Sequence, residues 1–191
     1  MGMMTVAQLQ THVYEDKMKN VEMLTPLLWQ TKEYHADFVC LPEMFACPYE
    51  TKNFPVYAEE EGGPLWTALS GLAKEFGIYL SAGSVPERTP EGKIRNTAYV
   101  FDRQGNQIAK HSKVHLFDID VKGGQSFKES DTLTPGDHST VFETEFGIMG
   151  LCICFDFRFP DLRKGEPALR VCGGPLQLLG VQDVRDSEKR F

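Results

Sequence analysis

Apolar and polar positions alternate along this chain in two distinct rhythms. Residues 5–9 read as a short strand, and residues 16–34 carry Val21, Leu24 and Leu28 three and four apart, as one face of a helix does. Pro26 lies inside that stretch and predicts a kink. Phe38-Val39-Cys40-Leu41 is a compact apolar run stopped by Pro42, the pattern of a buried strand closing a strand-helix-strand unit. Leu65, Leu69, Leu72 and Phe76 repeat at four, three and four, with Pro64 placed to open a helix and Gly77 to end it. Residues 78–85, 96–102 and 107–114 then read as strands, separated by the turn-rich runs Pro90-Glu91-Gly92-Lys93 and Arg103-Gln104-Gly105-Asn106. Neighbouring antiparallel strands are the expected outcome.

The rhythm breaks over residues 115–138, where Gly, Asp, Ser and Lys leave few apolar positions. A loop that long inside a compact domain is usually functional. Strand patterns return at residues 140–143 and 148–153. Beyond Arg163 the character changes again, as Gly165, Pro167, Gly173-Gly174-Pro175 and Gly180 punctuate a stretch with little sustained periodicity. No internal repeat, low-complexity tract or linker precedes it, so the expected division is a domain at residues 1–164 and an unrelated tail at 165–191.

Composition narrows the function classes. At 191 residues and 41% hydrophobic, the chain can bury the core of one ordinary domain. Its 20 Lys and Arg against 27 Asp and Glu give a formal charge of -7, and no basic block offers the phosphate neutralisation that non-specific nucleic-acid binding requires. No apolar run approaches the roughly 20 residues of a membrane span, and residues 1–5 lack the cationic and apolar regions of a secretion signal. The expectation is a cytoplasmic protein that binds neither nucleic acid nor membrane. Five cysteines, Cys40, Cys47, Cys152, Cys154 and Cys172, suit free thiols in a reducing compartment better than a disulfide framework.

Three apolar strands run toward a reactive side chain: Glu43 after Pro42, Lys113 after Ile108-Ala109, and Cys154 after residues 148–153. Strand ends are where α/β proteins place their sites. Singly, each has an ordinary reading: Glu43 as a helix cap, Lys113 as a solvated strand residue, Cys154 as a small core hydrophobe. Together they describe a reaction. A thiol attacks well when a base takes its proton and a cation favours the thiolate, which Glu43 and Lys113 supply. The negative charge that develops on an attacked amide oxygen suits the Lys113 ammonium and the backbone N–H of Phe155. Glu129, in the long loop, either orients substrate, shares a proton with Glu43, or is simply solvated. Two rival constellations use the same region: His115 as the base for Cys154, and a metal site drawing on Cys152, Cys154, His111 and His115, although C-x-C is not the usual zinc spacing.

The runs Leu41-Pro42-Glu43-Met44-Phe45, Lys113-Val114-His115-Leu116-Phe117-Asp118 and Cys154-Phe155-Asp156-Phe157-Arg158-Phe159-Pro160 resemble, in order and separation, the carbon-nitrogen hydrolase (nitrilase) superfamily. The resemblance covers residues 5–162. Cys47-Pro48-Tyr49, Phe117-Asp118-Ile119-Asp120 and Phe127-Lys128-Glu129-Ser130-Asp131 are most similar to its omega-amidase branch. The resemblance implies an α/β fold of the αββα sandwich type, with Glu43 as general base, Lys113 stabilising the tetrahedral intermediate, Cys154 as the acylated nucleophile and Glu129 at the position of a second glutamate. It further implies hydrolysis of small ω-amides of dicarboxylates, such as 2-oxoglutaramate and 2-oxosuccinamate, without metal or organic cofactor, and a homodimer for a full-length form.

The resemblance also implies further strands and helices after the nucleophile motif, where residues 165–191 resemble nothing in the family. A frameshift, an alternative splice or a mispredicted gene end would each produce such a tail, in which Cys172 is an incidental thiol. The second half of the sandwich is therefore expected to be incomplete. A competing expectation follows, in which the chain is an inactive truncated homologue that acts by association with another protein. Another amidase or nitrilase of the same superfamily is the third.

Overall fold

The structure, a computed structural model, describes residues 3–124, 126–159 and the backbone of 169–172. Pro160, the expected boundary at residue 164 and the side chain of Cys172 lie outside the described residues. β1 (Val6–Gln8), β2 (Phe38–Cys40) and β3 (Tyr79–Ser81) pair in parallel, and β5 (Ile94–Phe101) meets β3 antiparallel. β4 (Val85–Arg88) and β6 (Gln107–Ser112) both pair antiparallel with β5, completing a six-stranded sheet.

Side-chain alternation gives this sheet two buried faces. Val39, Leu41, Leu80, Tyr99 and Phe101 pack with Leu24, Leu28, Leu65, Leu69 and Phe76, which belong to α2 (Leu24–Glu33) and α4 (Pro64–Phe76). The alternate residues Phe38, Cys40, Tyr79, Ala98 and Val100 pack instead with Phe142, Met149 and Leu151. Those three come from β9 (Thr140–Thr144) and β10 (Gly147–Cys152), antiparallel partners in a second sheet. Described residues thus form three successive layers, helices, sheet and sheet, of the αββα arrangement. Arg103 clips the layers at one side, bonding Asp37 at 2.9 Å and Glu145 at 3.0 Å.

Most of the elements legible from the pattern are present, with instructive exceptions. The helix expected over residues 16–34 is two, α1 (Lys17–Glu22) and α2, divided at Met23 and continuous through Pro26. Pro26 stands in the first turn of α2, where the missing N–H has no helical acceptor to lose. The strand expected over 78–85 is divided at Gly83, whose φ of 58° turns the chain between β3 and β4. The long loop holds a hairpin, β7 (Asp118–Asp120) with β8 (Ser126–Lys128), followed by a 3-10 turn over Glu129–Asp131. A short helix, α3 (Phe54–Tyr57), escaped the apolar pattern because four residues are too few to show a period. So did β11 (Leu169–Cys172), which pairs in parallel with β10 inside the expected tail. Among the described residues no helix is long and apolar enough to cross a membrane.

Two glycines test how tightly the strand ends are packed. A Cβ on Gly83 would lie 2.0 Å from the Pro42 carbonyl oxygen, whereas one on Gly71, exposed in α4, would meet nothing within 4 Å. Gly83→Ala should therefore destabilise the chain by more than about 1 kcal/mol, and Gly71→Ala should stabilise it by about 0.5 to 1 kcal/mol through helix propensity. Urea unfolding of both variants beside the parent measures the contrast; equal shifts would contradict the close approach at Pro42.

Candidate active site

Each reactive residue is set at a strand end by backbone bonds that leave it little freedom. After β2 the chain stays in register, Leu41 N–H donating to Ser81 O at 3.0 Å, and then turns through Met44 at φ 52° with its N–H on Ser84 Oγ at 3.1 Å. Glu43 lies between these anchors. Lys113 follows β6 and is held on both sides, its N–H on Asn96 O and its carbonyl accepting from Gly136 N–H, each at 2.8 Å. A Cβ on Gly136 would come within 2.2 Å of Ser112 O, so only glycine lets that loop close over the strand. Cys154 opens a 3-10 turn, Cys154–Arg158, in the left-handed region at φ 45°. For a non-glycine residue this is strained backbone of the kind that clusters at functional sites.

Lys113 is the centre of the arrangement. Its fully buried ammonium lies 2.9 Å from Glu43 Oε1 and 2.9 Å from Glu129 Oε1. Asn96 Nδ2 also donates to Glu43 Oε1, at 2.8 Å, and the Cys154 thiol is hydrogen-bonded to the same carboxylate. Glu129 accepts the Tyr49 hydroxyl on Oε1 and the Phe117 N–H on Oε2, the latter at 2.6 Å. Tyr49 is itself fixed by aromatic contact with Phe54 and Phe127, at centroid distances of 5.5 and 5.4 Å.

Burial sets the electrostatics. It pushes the Glu43 carboxyl above the usual carboxylate range, against the pull of the Lys113 charge and the thiol hydrogen bond, with Glu129 adding to the rise. Burial acts to lower Lys113, but the two carboxylates outweigh it and hold the ammonium above the ordinary lysine value. The Tyr49 phenol is raised by burial and then by the charges of Glu43 and Glu129, so it stays a neutral donor. The site therefore pairs a fixed cation with a carboxyl suited to accept and return a proton.

Asp156, fully buried two residues after Cys154, binds the Cys154 turn to the lysine segment. Its Oδ1 accepts from Val114 N–H at 3.2 Å, His115 N–H at 2.8 Å and His115 Nδ1 at 3.1 Å. Oδ2 takes the Ile153 N–H at 3.2 Å and lies 3.1 Å from His111 Nε2. Burial works to raise this carboxyl, yet the bonds from His111, His115 and Ile153 hold it below the usual aspartate range.

The three strand-end residues expected from the sequence come together, and Glu129 joins them. Reading Glu43 as a cap, Lys113 as a solvated strand residue or Glu129 as a solvated loop carboxylate does not hold, because all three side chains are buried against one another. Phe155 lies in the 3-10 turn that Cys154 opens, its ring 5.3 Å from Phe117 and 5.2 Å from Phe159. His115 turns to Asp156 and stacks on Phe159 at 3.6 Å, whereas Glu43 is the carboxylate on the thiol. Among the described residues no group of three or more His, Cys, Asp or Glu side chains converges as a metal site requires. Sequence reasoning missed the parts played by Tyr49, Asn96 and Asp156. Asn96 left no distinct signal, since Arg95 and Thr97 beside it in β5 are polar as well.

The family model for carbon-nitrogen hydrolases matches residues 4–164. The chain belongs to the carbon-nitrogen hydrolase family. Hydrolase C26A3.11 of Schizosaccharomyces pombe is 48% identical over 150 residues, which cover 78% of this chain and 46% of that protein. Omega-amidase NIT2 of Xenopus tropicalis is 47% identical over 148 residues, covering 78% of this chain and 53% of the relative. Among solved structures, Nit3 of Saccharomyces cerevisiae, a member of branch 10 of the nitrilase superfamily, superposes with a TM-score of 0.77 at 35% identity, covering 90% of this chain and 64% of that one. A mutant amidase from Nesterenkonia sp. AN1, showing covalent addition of the acetamide moiety of fluoroacetamide at its active site cysteine, gives 0.70 at 26% identity, covering 83% and 58%. This carbon-nitrogen hydrolase chain spans about half the length of the curated relatives it matches.

The aspartate latch generates a prediction of its own. Asp156→Ala strands several buried donors at once, and breaking a buried charged network of this kind typically costs about 3 to 5 kcal/mol. Urea unfolding should show a loss of at least the lower figure. A loss within about 0.5 kcal/mol, the range of a surface substitution, would remove the latch from the account.

Proposed function

We propose that this carbon-nitrogen hydrolase cleaves a small ω-amide of a dicarboxylate, of the 2-oxoglutaramate or 2-oxosuccinamate type, to the acid and ammonia through an acyl-cysteine. The observation that carries the reading is the Cys154 thiol on the Glu43 carboxylate, which in turn shares the Lys113 ammonium with Glu129. The relatives named omega-amidases support the substrate class. The amidase whose cysteine carries an acetamide group supports the choice of nucleophile. A homodimer of a full-length form belongs to the same reading.

In the first half-reaction Glu43 takes the thiol proton as Cys154 Sγ attacks the amide carbon. The carbonyl oxygen becomes negative beside the Lys113 ammonium, with the Phe155 N–H as the second donor. Glu43 then returns the proton to the departing nitrogen, the C–N bond breaks, and ammonia leaves a thioester. In the second half water attacks the thioester with Glu43 again as base, and the acid departs as the thiol is restored. Glu129 holds Lys113 in place throughout, itself anchored by Tyr49 and Phe117.

Ammonia release from 2-oxoglutaramate tests this directly, measured for the 191-residue chain beside a form carrying a family-like C-terminal part. In the form that releases ammonia, Cys154→Ala should abolish release and Cys152→Ala should leave most of it. Glu43→Gln and Lys113→Met should each lower kcat strongly, the lysine variant by about 10² to 10³. Equal loss in the two cysteine variants, or near-normal turnover without Glu43, would overturn the assignment. Release by neither form favours the association reading.

The raised Glu43 carboxyl also fixes a pH dependence. A base works only when deprotonated, so activity is present above its pKa and lost as pH falls through it. Because that pKa is raised by burial, the acid limb of kcat/KM should lie above the ordinary glutamate value of about 4.3. A limb at or below that value would contradict a buried base.

A further inference from the structure

Resting on the acyl-cysteine reading, the structure assigns Asn96 as a positioning residue that fixes Glu43 Oε1 and so reserves the other carboxylate oxygen for the proton of Cys154. Asn96 sits on β5, on the face whose neighbours Ala98 and Val100 line the core between the two sheets, and is 1% exposed. It touches the site twice. Its backbone carbonyl accepts the Lys113 N–H at 2.8 Å, and its Nδ2 donates to Glu43 Oε1 at 2.8 Å. Lys113 Nζ reaches the same oxygen at 2.9 Å. Two donors on one oxygen leave the second as the acceptor for the thiol.

The other end of the side chain shows what the residue is for. Asn96 Oδ1 is buried and has no hydrogen-bond partner among the described residues. Turning the amide over would satisfy nothing, because it would set a carbonyl oxygen against the Glu43 carboxylate. A buried amide that leaves its acceptor unpaired is a poor choice for stability, and leucine has nearly the same shape without that liability. What leucine lacks is the donor. The asparagine is therefore explained by its bond to the base and not by its packing.

The charged and titratable groups around Glu43 are Lys113, Glu129, Cys154 and Tyr49. Of these only the lysine and the thiol favour its ionised form, so a neutral donor that does the same shifts its titration downward. Replacing Asn96 removes that help while leaving every charge in place.

The test uses the 191-residue chain and iodoacetamide, with alkylation at Cys154 followed by peptide mass across pH. In the parent the rate should rise with ionisation of Glu43. In Asn96→Leu the limb should move to higher pH by about one unit, a roughly tenfold slower reaction on its acid side. Asn96→Ala, which adds no bulk, gives the same reading if the leucine variant fails to fold. A limb that stays in place overturns the positioning role, whatever happens to stability. A parent whose Cys154 shows no limb at all overturns the acyl-cysteine reading, and the positioning role with it, which separates the two failures.

Discussion

A lysine ammonium removed from water and clasped by two carboxylates is the interaction on which the rest of this structure depends. An isolated buried charge is too costly to keep, so Lys113 is tolerable only with Glu43 and Glu129 each at 2.9 Å. The reverse also holds, since two carboxylates this close need the cation between them. Three segments far apart in sequence are thereby locked to one point. The remaining lone pairs of the carboxylates are answered by Asn96, Tyr49, the Phe117 N–H and the thiol. Carboxylates whose lone pairs are answered in this way hold the ammonium rigidly between them.

The thiol is brought to that point by a different device. Cys154 comes from the second sheet, and its turn is held to the lysine segment of the first through the buried carboxylate of Asp156. The two sheets meet over an apolar face of Phe38, Val100, Phe142, Met149 and Leu151, so intersheet packing sets the approach and Asp156 sets the fine position. Strain at Cys154, with φ of 45°, is borne by this support and leaves the side chain partly accessible.

The aromatic side chains connect these two devices. Tyr49 stacks on Phe127, Phe127 neighbours Phe117, and Phe117 meets Phe155 of the Cys154 turn. The long loop that looked structureless in sequence is thus pinned on one side by rings and on the other by Glu129. Its hairpin, β7 with β8, places Glu129 at the start of the following 3-10 turn, where its backbone N–H bonds Phe117 O at 3.2 Å.

Much of the fold was legible because apolar period is a local property. Helix α4 could be read from Leu65, Leu69, Leu72 and Phe76 with Pro64 and Gly77 at its ends, and five of the six strands of the larger sheet from their runs of apolar residues. The strand ends at Glu43, Lys113 and Cys154 were legible for the same reason, as reactive residues set just beyond apolar runs. What the pattern could not carry was contact between distant segments. Whether Glu43 or His115 faces the thiol, whether Glu129 is solvated or buried, and that Asn96 and Tyr49 belong to the site were all decided by tertiary structure. Position along a strand says which residue comes last; only the packing of one sheet on another says what that residue meets.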